Sequence, residues 1–192
     1  MTMKNGAIAM CGLLSILAGC GGSGNSSTTY LSQANAAIDL GQRYATADYT
    51  DPMTLPTSGS AQYDGFMVVG VEYPGGETNS VVGDMRLTAN FADDSVGGRA
   101  TNFIDAANTN YDGSIVLSNG TIDRVDANFD YQINADLGGS LVDEDAVVYS
   151  IAGELSADFY GNNYEVVGGE VVGTSDSIYG LASLNGGIVA ER

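Results

Sequence analysis

The chain has 192 residues, enough for one sizeable hydrophobic core and short for two, so a single domain behind an N-terminal leader is expected. Lys and Arg total 6 against 24 Asp and Glu, a formal charge of -18. A surface of that sign repels polyanions and anionic lipid heads, which argues against a nucleic-acid partner.

The six positive residues are Lys4, Arg43, Arg86, Arg99, Arg124 and Arg192, and loss of the leader leaves no lysine. The acidity serves solubility, or it marks a site for a cationic partner or calcium. Asp143-Glu144-Asp145 and Asp93-Asp94 are its densest spots, and neither has the spaced Asp, Asn and Gly pattern of a calcium loop.

Residues 1–19 hold Lys4 in a short polar start, an apolar run over 7–18, and Leu17-Ala18-Gly19 before Cys20. A run this short does not anchor stably across a bilayer and reads as the hydrophobic segment of a signal peptide. Small residues ahead of a cysteine here resemble the bacterial lipobox. The resemblance implies cleavage before Cys20, with acyl chains such as palmitate on its sulfur and new amino group, so outer-membrane lipid is the expected partner of Cys20. Gly21 stands where the inner-membrane retention rule wants aspartate, which by the same resemblance directs the lipoprotein to the outer membrane. Cys11 lies inside the removed segment, so the mature chain is expected to have no disulfide.

Residues 20–30, rich in Gly, Ser, Asn and Thr, cannot bury a core and are expected to form a flexible tether. Within 31–57, Leu31, Ala34, Ala37, Ile38 and Gly41 recur at helical spacing, with Ser32 available as a cap. Asp51-Pro52-Met53-Thr54-Leu55-Pro56 then breaks regular structure, and residues 58–192 are expected to form the folded domain.

That domain alternates apolar and polar residues in strand after strand: 59–72, 81–91, 95–103, 113–118, 121–135, 147–159, 164–174 and 178–190. Asn119-Gly120 is a strong hairpin signal. The clearest alternation is in 121–135, where Val125, Ala127, Phe129, Tyr131 and Ile133 share one face. The stretch 151–173 reads as a long hairpin turning at Gly161-Asn162-Asn163, with Glu154, Asp158 and Tyr160 on its polar face.

Eight antiparallel strands joined by short turns, with one short N-terminal helix, predict an all-β fold, an eight-stranded antiparallel up-and-down barrel. A sandwich is the other arrangement the pattern allows. Bulky Met67, Leu87, Phe91, Phe129, Tyr131, Leu155 and Phe159 at inward positions favour a filled core. Glycines inside strands, as at Gly97, Gly98, Gly139, Gly168 and Gly169, fit the bending a small barrel needs. None lies between a strand and a helix, as a nucleotide-binding loop requires.

Gly59-Ser-Ala-Gln-Tyr63-Asp-Gly65, then Gly83-Asp-Met-Arg-Leu87-Thr-Ala-Asn-Phe91 with Val96-Gly97, and Gly153-Glu-Leu-Ser-Ala-Asp-Phe159-Tyr160-Gly161 with Val167-Gly168-Gly169, together resemble the transferrin-binding protein B type β-barrel domain. The match in order and spacing runs from about Gly59 to the end. It implies a surface lipoprotein of a Gram-negative bacterium that binds a host protein or nutrient carrier. The chain departs from the transferrin binders in having one barrel and only a short segment where a handle domain would stand. No residue matches a binding motif closely enough to carry a contact over.

The sequence has no His, and after cleavage no Cys, which removes the commonest general base, the usual thiol nucleophile and most transition-metal ligands. No enzyme activity and no cofactor are expected. The leading reading is a lipid-anchored outer-membrane or cell-surface protein that recognises a protein or nutrient-carrier partner through loops 73–80, 104–110 and 141–145. The alternatives are a lipocalin-like periplasmic carrier of a small apolar ligand and a transmembrane barrel.

Overall fold

The computed structural model describes residues 28–125 and 131–192. The leader, Cys20, and residues Ala127 and Phe129 lie outside the described residues.

Eight strands form a closed antiparallel barrel in sequence order: β1 (Ser60–Glu72), β2 (Thr78–Asn90), β3 (Ser95–Asp105), β4 (Asn110–Ile122), β5 (Ile133–Val142), β6 (Val148–Tyr160), β7 (Val166–Ser177) and β8 (Gly180–Glu191). β1 closes the ring by pairing with β8, from Asp64 opposite Glu191 to Glu72 opposite Ser183. Closure leaves no edge strand to template aggregation.

Burial decides which face of the alternation is which. Tyr63, Met67, Leu87, Ile115, Leu155, Leu184 and Ile188 point inward and are almost fully buried. The outward positions between them carry Asp64, Arg86, Arg99, Asp136, Glu154 and Glu170. An apolar inside and charged outside is the reverse of a membrane-spanning barrel, whose lipid-facing band is apolar.

Two expectations about the strands are corrected. Asn119-Gly120 is no hairpin turn; it lies inside β4, where the pairing with β5 shifts register between Ser118 and Thr121. Asn119 adopts φ 53°, and a side chain on Gly120 would collide with the Val96 carbonyl across the strand. An Asn-Gly pair that tolerates positive φ serves a bulge as well as a turn.

Likewise 121–135 is not one strand. Thr121 and Ile122 finish β4, Val125 is 72% exposed, and β5 starts at Ile133. The alternation is broken by local polar bonding: the Asp123 carboxylate accepts the Val125 N–H, and the Asp123 N–H donates to the Gln132 carbonyl. Tyr131 is not in the barrel interior either. It is half-buried and hydrogen-bonded to Glu170, whose position faces outward on β7.

Among the described residues one α-helix, α1 (Tyr30–Arg43), lies outside the barrel across β1, β2 and β8. Its cap is Thr29 rather than Ser32. The Thr29 hydroxyl accepts the Ser32 N–H, and the Ser32 hydroxyl returns the favour by accepting the Thr29 N–H, a reciprocal capping box. Gln33, Ala34, Ala37, Leu40 and Gly41 form the buried stripe, small residues letting the helix approach the sheet closely.

Leu40 joins Val166, Val189 and Tyr160 in a second cluster on the outer wall, separate from the barrel core. Tyr160, expected on a polar face, is therefore buried, because the helix and the segment after it cover the outward face of the sheet at that point. Its ring also meets Tyr49 edge-on at 6.4 Å.

Candidate functional site

The two ends of the barrel differ, and the difference begins with how each is closed. One end carries the starts of β1, β3, β5 and β7 and is capped by residues 48–59. There the Thr50 N–H donates to the Phe159 carbonyl and Leu55 is buried. Gln132, 2% exposed, donates Nε2–H to the Thr50 carbonyl at 2.6 Å and accepts the Phe159 N–H through Oε1 at 2.8 Å.

Arg124 completes this cap. Nε–H and Nη2–H both reach Asp94 Oδ1, and the guanidinium further donates to the carbonyls of Leu55, Pro56 and Phe91. The acidic pair Asp93-Asp94 thus has a structural task. Beneath the cap Tyr63, Phe91, Phe159 and Tyr164 pack ring against ring, with centroids 5.2 to 6.0 Å apart.

The other end carries four connections, residues 73–77, 106–109, 143–147 and 178–179. All three loops singled out from the sequence converge here. Three of the four share one conformation. In each, the N–H of the first residue donates to the carbonyl four residues on, and the N–H three residues on donates back to the first carbonyl. The pairs are Tyr73 with Glu77 and Gly76, Asp105 with Thr109 and Asn108, and Asp143 with Val147 and Ala146. The fourth residue of each adopts positive φ: Gly76 at 82°, Asn108 at 69°, Ala146 at 61°.

Asp105 and Asp143 use one device twice. Asp105 Oδ1 accepts the N–H groups of Ala107 and Thr109, and Asp143 Oδ1 those of Asp145 and Val147. The second oxygen accepts the hydroxyl of the tyrosine six residues on, Tyr111 at 3.2 Å and Tyr149 at 2.9 Å. Asn79 Nδ2–H ties the first pair to β2 by donating to Asp105 Oδ2 and the Tyr111 hydroxyl. The Tyr111 and Tyr149 rings meet edge-on at 5.8 Å.

Ala146 is the residue in this scheme least suited to its backbone, since a Cβ at positive φ is strained where glycine is not. Ala146→Gly is expected to raise stability by about 0.5–1 kcal/mol, offset in part by the greater freedom of glycine in the unfolded chain. Thermal unfolding checks this, an upward shift of roughly 2 °C being the expected size for a chain of this length.

The rim tyrosines hold their protons tightly. Burial, then the Asp105 carboxylate, pushes the Tyr111 hydroxyl well above the ordinary 10, and burial followed by the hydrogen bond to Asp143 does the same to Tyr149. At the capped end burial raises Tyr160 to about 12. A folded-state pKa above the unfolded one stabilises fully below pH about 10 and is lost as pH rises through the folded values. Stability is thus expected to fall above pH about 10, tyrosinate absorbance appearing together with unfolding; a smooth titration with the fold intact would contradict it.

Inside the rim is a cavity of about 20 Å³. Its floor is Val69, Val81, Ile115, Leu141, Ile151 and Leu184, and its polar wall Tyr73, Asn79, Tyr111, Tyr149 and Ser175. That volume holds about one water molecule. Among the described residues no group of three or more His, Cys, Asp or Glu is arranged to hold a metal ion.

The sequence reading missed the fourth connection. Ile178, Tyr179 and Leu181 are 79%, 62% and 58% exposed at its tip. The available signal was two large apolar residues between Ser177 and Gly180, both turn formers.

A closed eight-stranded up-and-down barrel, capped at one end and presenting a loop rim at the other, is the class this molecule defines. Neither the comparison with protein families nor that with curated proteins gives a match. Among solved structures the chain is similar to a point mutant of the vaccine antigen transferrin binding protein B from Haemophilus parasuis Hp5, at 17% identity and a TM-score of 0.41 over 76% of this chain. The match spans 29% of that protein's length.

Proposed function

We propose that this chain is a lipid-anchored binding protein of the outer membrane or cell surface of a Gram-negative bacterium, taking a protein or nutrient-carrier partner on the loop end of its barrel. The observation that carries the reading is the contrast between the ends. One is sealed by residues 48–59 and by Arg124; the other sets an exposed Ile178-Tyr179 tip beside a tyrosine and carboxylate rim on a rigid scaffold. Exposed aromatic and aliphatic anchors beside polar groups are what recognition surfaces need.

A core filled by Tyr63, Met67, Leu87, Phe103, Leu155 and Phe159 favours this over a carrier of apolar ligands, and the cavity at the loop end, about 20 Å³, is too small for one. The lipobox-like Leu17-Ala18-Gly19-Cys20 supports the anchor. From Cys20 to Thr28 is eight steps of chain (28 - 20), at most about 30 Å. The helix that follows starts beside the loop rim, where the Tyr30 N–H donates to Asn108 Oδ1.

Protease shaving of whole cells, combined with a pull-down, tests the reading. Expected are cleavage on intact cells, release from the membrane by Cys20→Ala, and loss of the captured partner when Ile178 and Tyr179 are replaced by serine. A protein that is protected, and still membrane-bound with Cys20→Ala, would end the proposal.

A further inference from the structure

We propose that α1 is a releasable strap. Docked on the barrel wall, it makes the chain ahead of it leave beside the loop rim; released, it hands that exit to the capped end. The consequence for orientation rests on reading Cys20 as a lipid anchor and the loop end as the recognition surface, whereas the release itself rests on neither.

The route of the chain is the first argument. α1 starts at the loop end, where the Tyr30 N–H donates to Asn108 Oδ1 and the Tyr30 hydroxyl to Ser80 Oγ. It finishes at the capped end, where Arg43 and Tyr44 both bond to the Glu191 carboxylate. Its 14 residues span about 21 Å. After Tyr44 the next bond to the barrel is at Asp48, whose carbonyl accepts the Gly161 N–H. With α1 docked, a lipid held at Cys20 lies within about 30 Å of the loop end. With α1 released, 28 steps of chain (48 - 20) lead from Cys20 to the capped end, at most about 100 Å.

The second argument is how α1 is held. The barrel core contains no residue of the helix, so the closed sheet is filled without it. In the buried stripe of Gln33, Ala34, Ala37, Leu40 and Gly41, Leu40 is the one large apolar side chain. Gln33 is 6% exposed and donates Nε2–H to Asp84 Oδ1 at 3.1 Å, yet among the described residues its buried Oε1 has no hydrogen-bond partner. A buried acceptor without a donor opposes docking, because release returns it to water. The Arg43 and Glu191 side chains are 59% and 33% exposed, so their ion pair adds little. What keeps the strap down is the outer wall: Leu40 clusters with Val166 and Val189, and Val82 faces outward yet is wholly buried.

Asn108, which holds the start of α1, belongs to a rim loop. A partner seated on residues 106–109 competes with Tyr30 for it, so capture at the rim and release of the strap favour one another. Capture beside the membrane then leads to presentation away from it.

The test is native-state hydrogen exchange of the full-length chain, followed by mass spectrometry as denaturant is raised. Amides of α1 are expected to exchange with a shallow dependence on denaturant, and those of β1, β2 and β8 with the steep dependence of whole-barrel opening. Leu40→Ala is expected to speed α1 exchange about a hundredfold. Gln33→Leu, which removes the orphan oxygen, is expected to slow it about tenfold along the whole helix, a response that fraying of the helix ends does not give. Asn108→Gly keeps the positive φ of its loop and is expected to speed α1 exchange about fivefold. An α1 that exchanges with the steep slope of the barrel opens only when the barrel does, and overturns the proposal; so does a Gln33→Leu variant that exchanges faster.

A second arm reads orientation. The membrane-bound chain, in phosphatidylcholine vesicles carrying an acceptor dye, takes a donor dye at Ala106→Cys on the rim or at Met53→Cys on the cap, both exposed positions. Stronger transfer from the rim than from the cap is expected, with Leu40→Ala narrowing or reversing the order. A cap that lies nearer the lipid while α1 is docked overturns the proposal. Failure of the wider reading looks different: a chain that carries no lipid at Cys20 removes the vesicle arm alone, and the exchange slopes still uphold or overturn the strap.

Discussion

Replacing Phe159 by alanine is expected to cost about 4 kcal/mol, a large share of the 5–15 kcal/mol that stabilises an ordinary domain. The ring is fully buried, with Tyr63 and Phe91 each 6.0 Å away. Truncation loses the transfer free energy of the ring and leaves a cavity between groups that are held from outside. The Tyr63 hydroxyl is tied to the Tyr164 carbonyl, and Phe91 is held by its N–H bond to the Gly59 carbonyl and its edge contact with Tyr164, so neither ring can move in freely to fill the space. Chemical denaturation should show a lower midpoint with an unchanged slope. A loss below about 1 kcal/mol would mean that the capped end is softer than its hydrogen bonds imply.

Arg124→Ala is expected to cost about 3 kcal/mol, read as a fall of roughly 6–12 °C in the unfolding temperature. The guanidinium serves three carbonyls and Asp94, and its side chain is only 23% exposed. Without it the carbonyls of Leu55, Pro56 and Phe91 lose a charged donor, and each stranded acceptor costs more than the bond itself was worth. Arg124→Lys should recover little, since one ammonium cannot reproduce the planar fork of donors. Salt should barely alter the difference, because this pair is partly screened from solvent, unlike Arg86 with Asp64, whose side chains are 67% and 57% exposed. Near-equal stability of the Lys variant would show that charge, and not directed hydrogen bonding, holds the cap.

Both positions show how much of this molecule could be read from its residues. Phe159 announced itself, as an apolar residue alternating with Asp158 and Ser156 in the stretch before Gly161, and its strand lies where the alternation put it. Arg124 did not. It appeared only as one of few cations, and its partners come from residues 55, 56, 91 and 94, which the chain brings together only after the barrel closes. The same holds for the mouth. Loops 73–80, 104–110 and 141–145 were recognisable as loops, but their convergence on one end follows from strand parity, and Ser175, just past the stretch 164–174 read as a strand, proves to belong to β7. The errors were local in cause: Asn119-Gly120 favours positive φ, which a bulge uses as readily as a turn, and the alternation over 121–135 was overridden by the bonds of Asp123 and Gln132.

What the sequence determined by itself is the fold class and the alternation along each strand. A two-residue period of apolar side chains, repeated with glycine-bearing turns between, admits strands and little else, and eight of them in hairpin succession close on themselves to remove their edges. What only the tertiary structure decided is which faces and which ends do what. The barrel turns its apolar face inward, α1 covers part of the outer wall and buries Tyr160, and residues 48–59 seal one end while the other keeps a small polar cup. Those outcomes depend on contacts between residues far apart in the chain, whose free energies no local pattern of residues records.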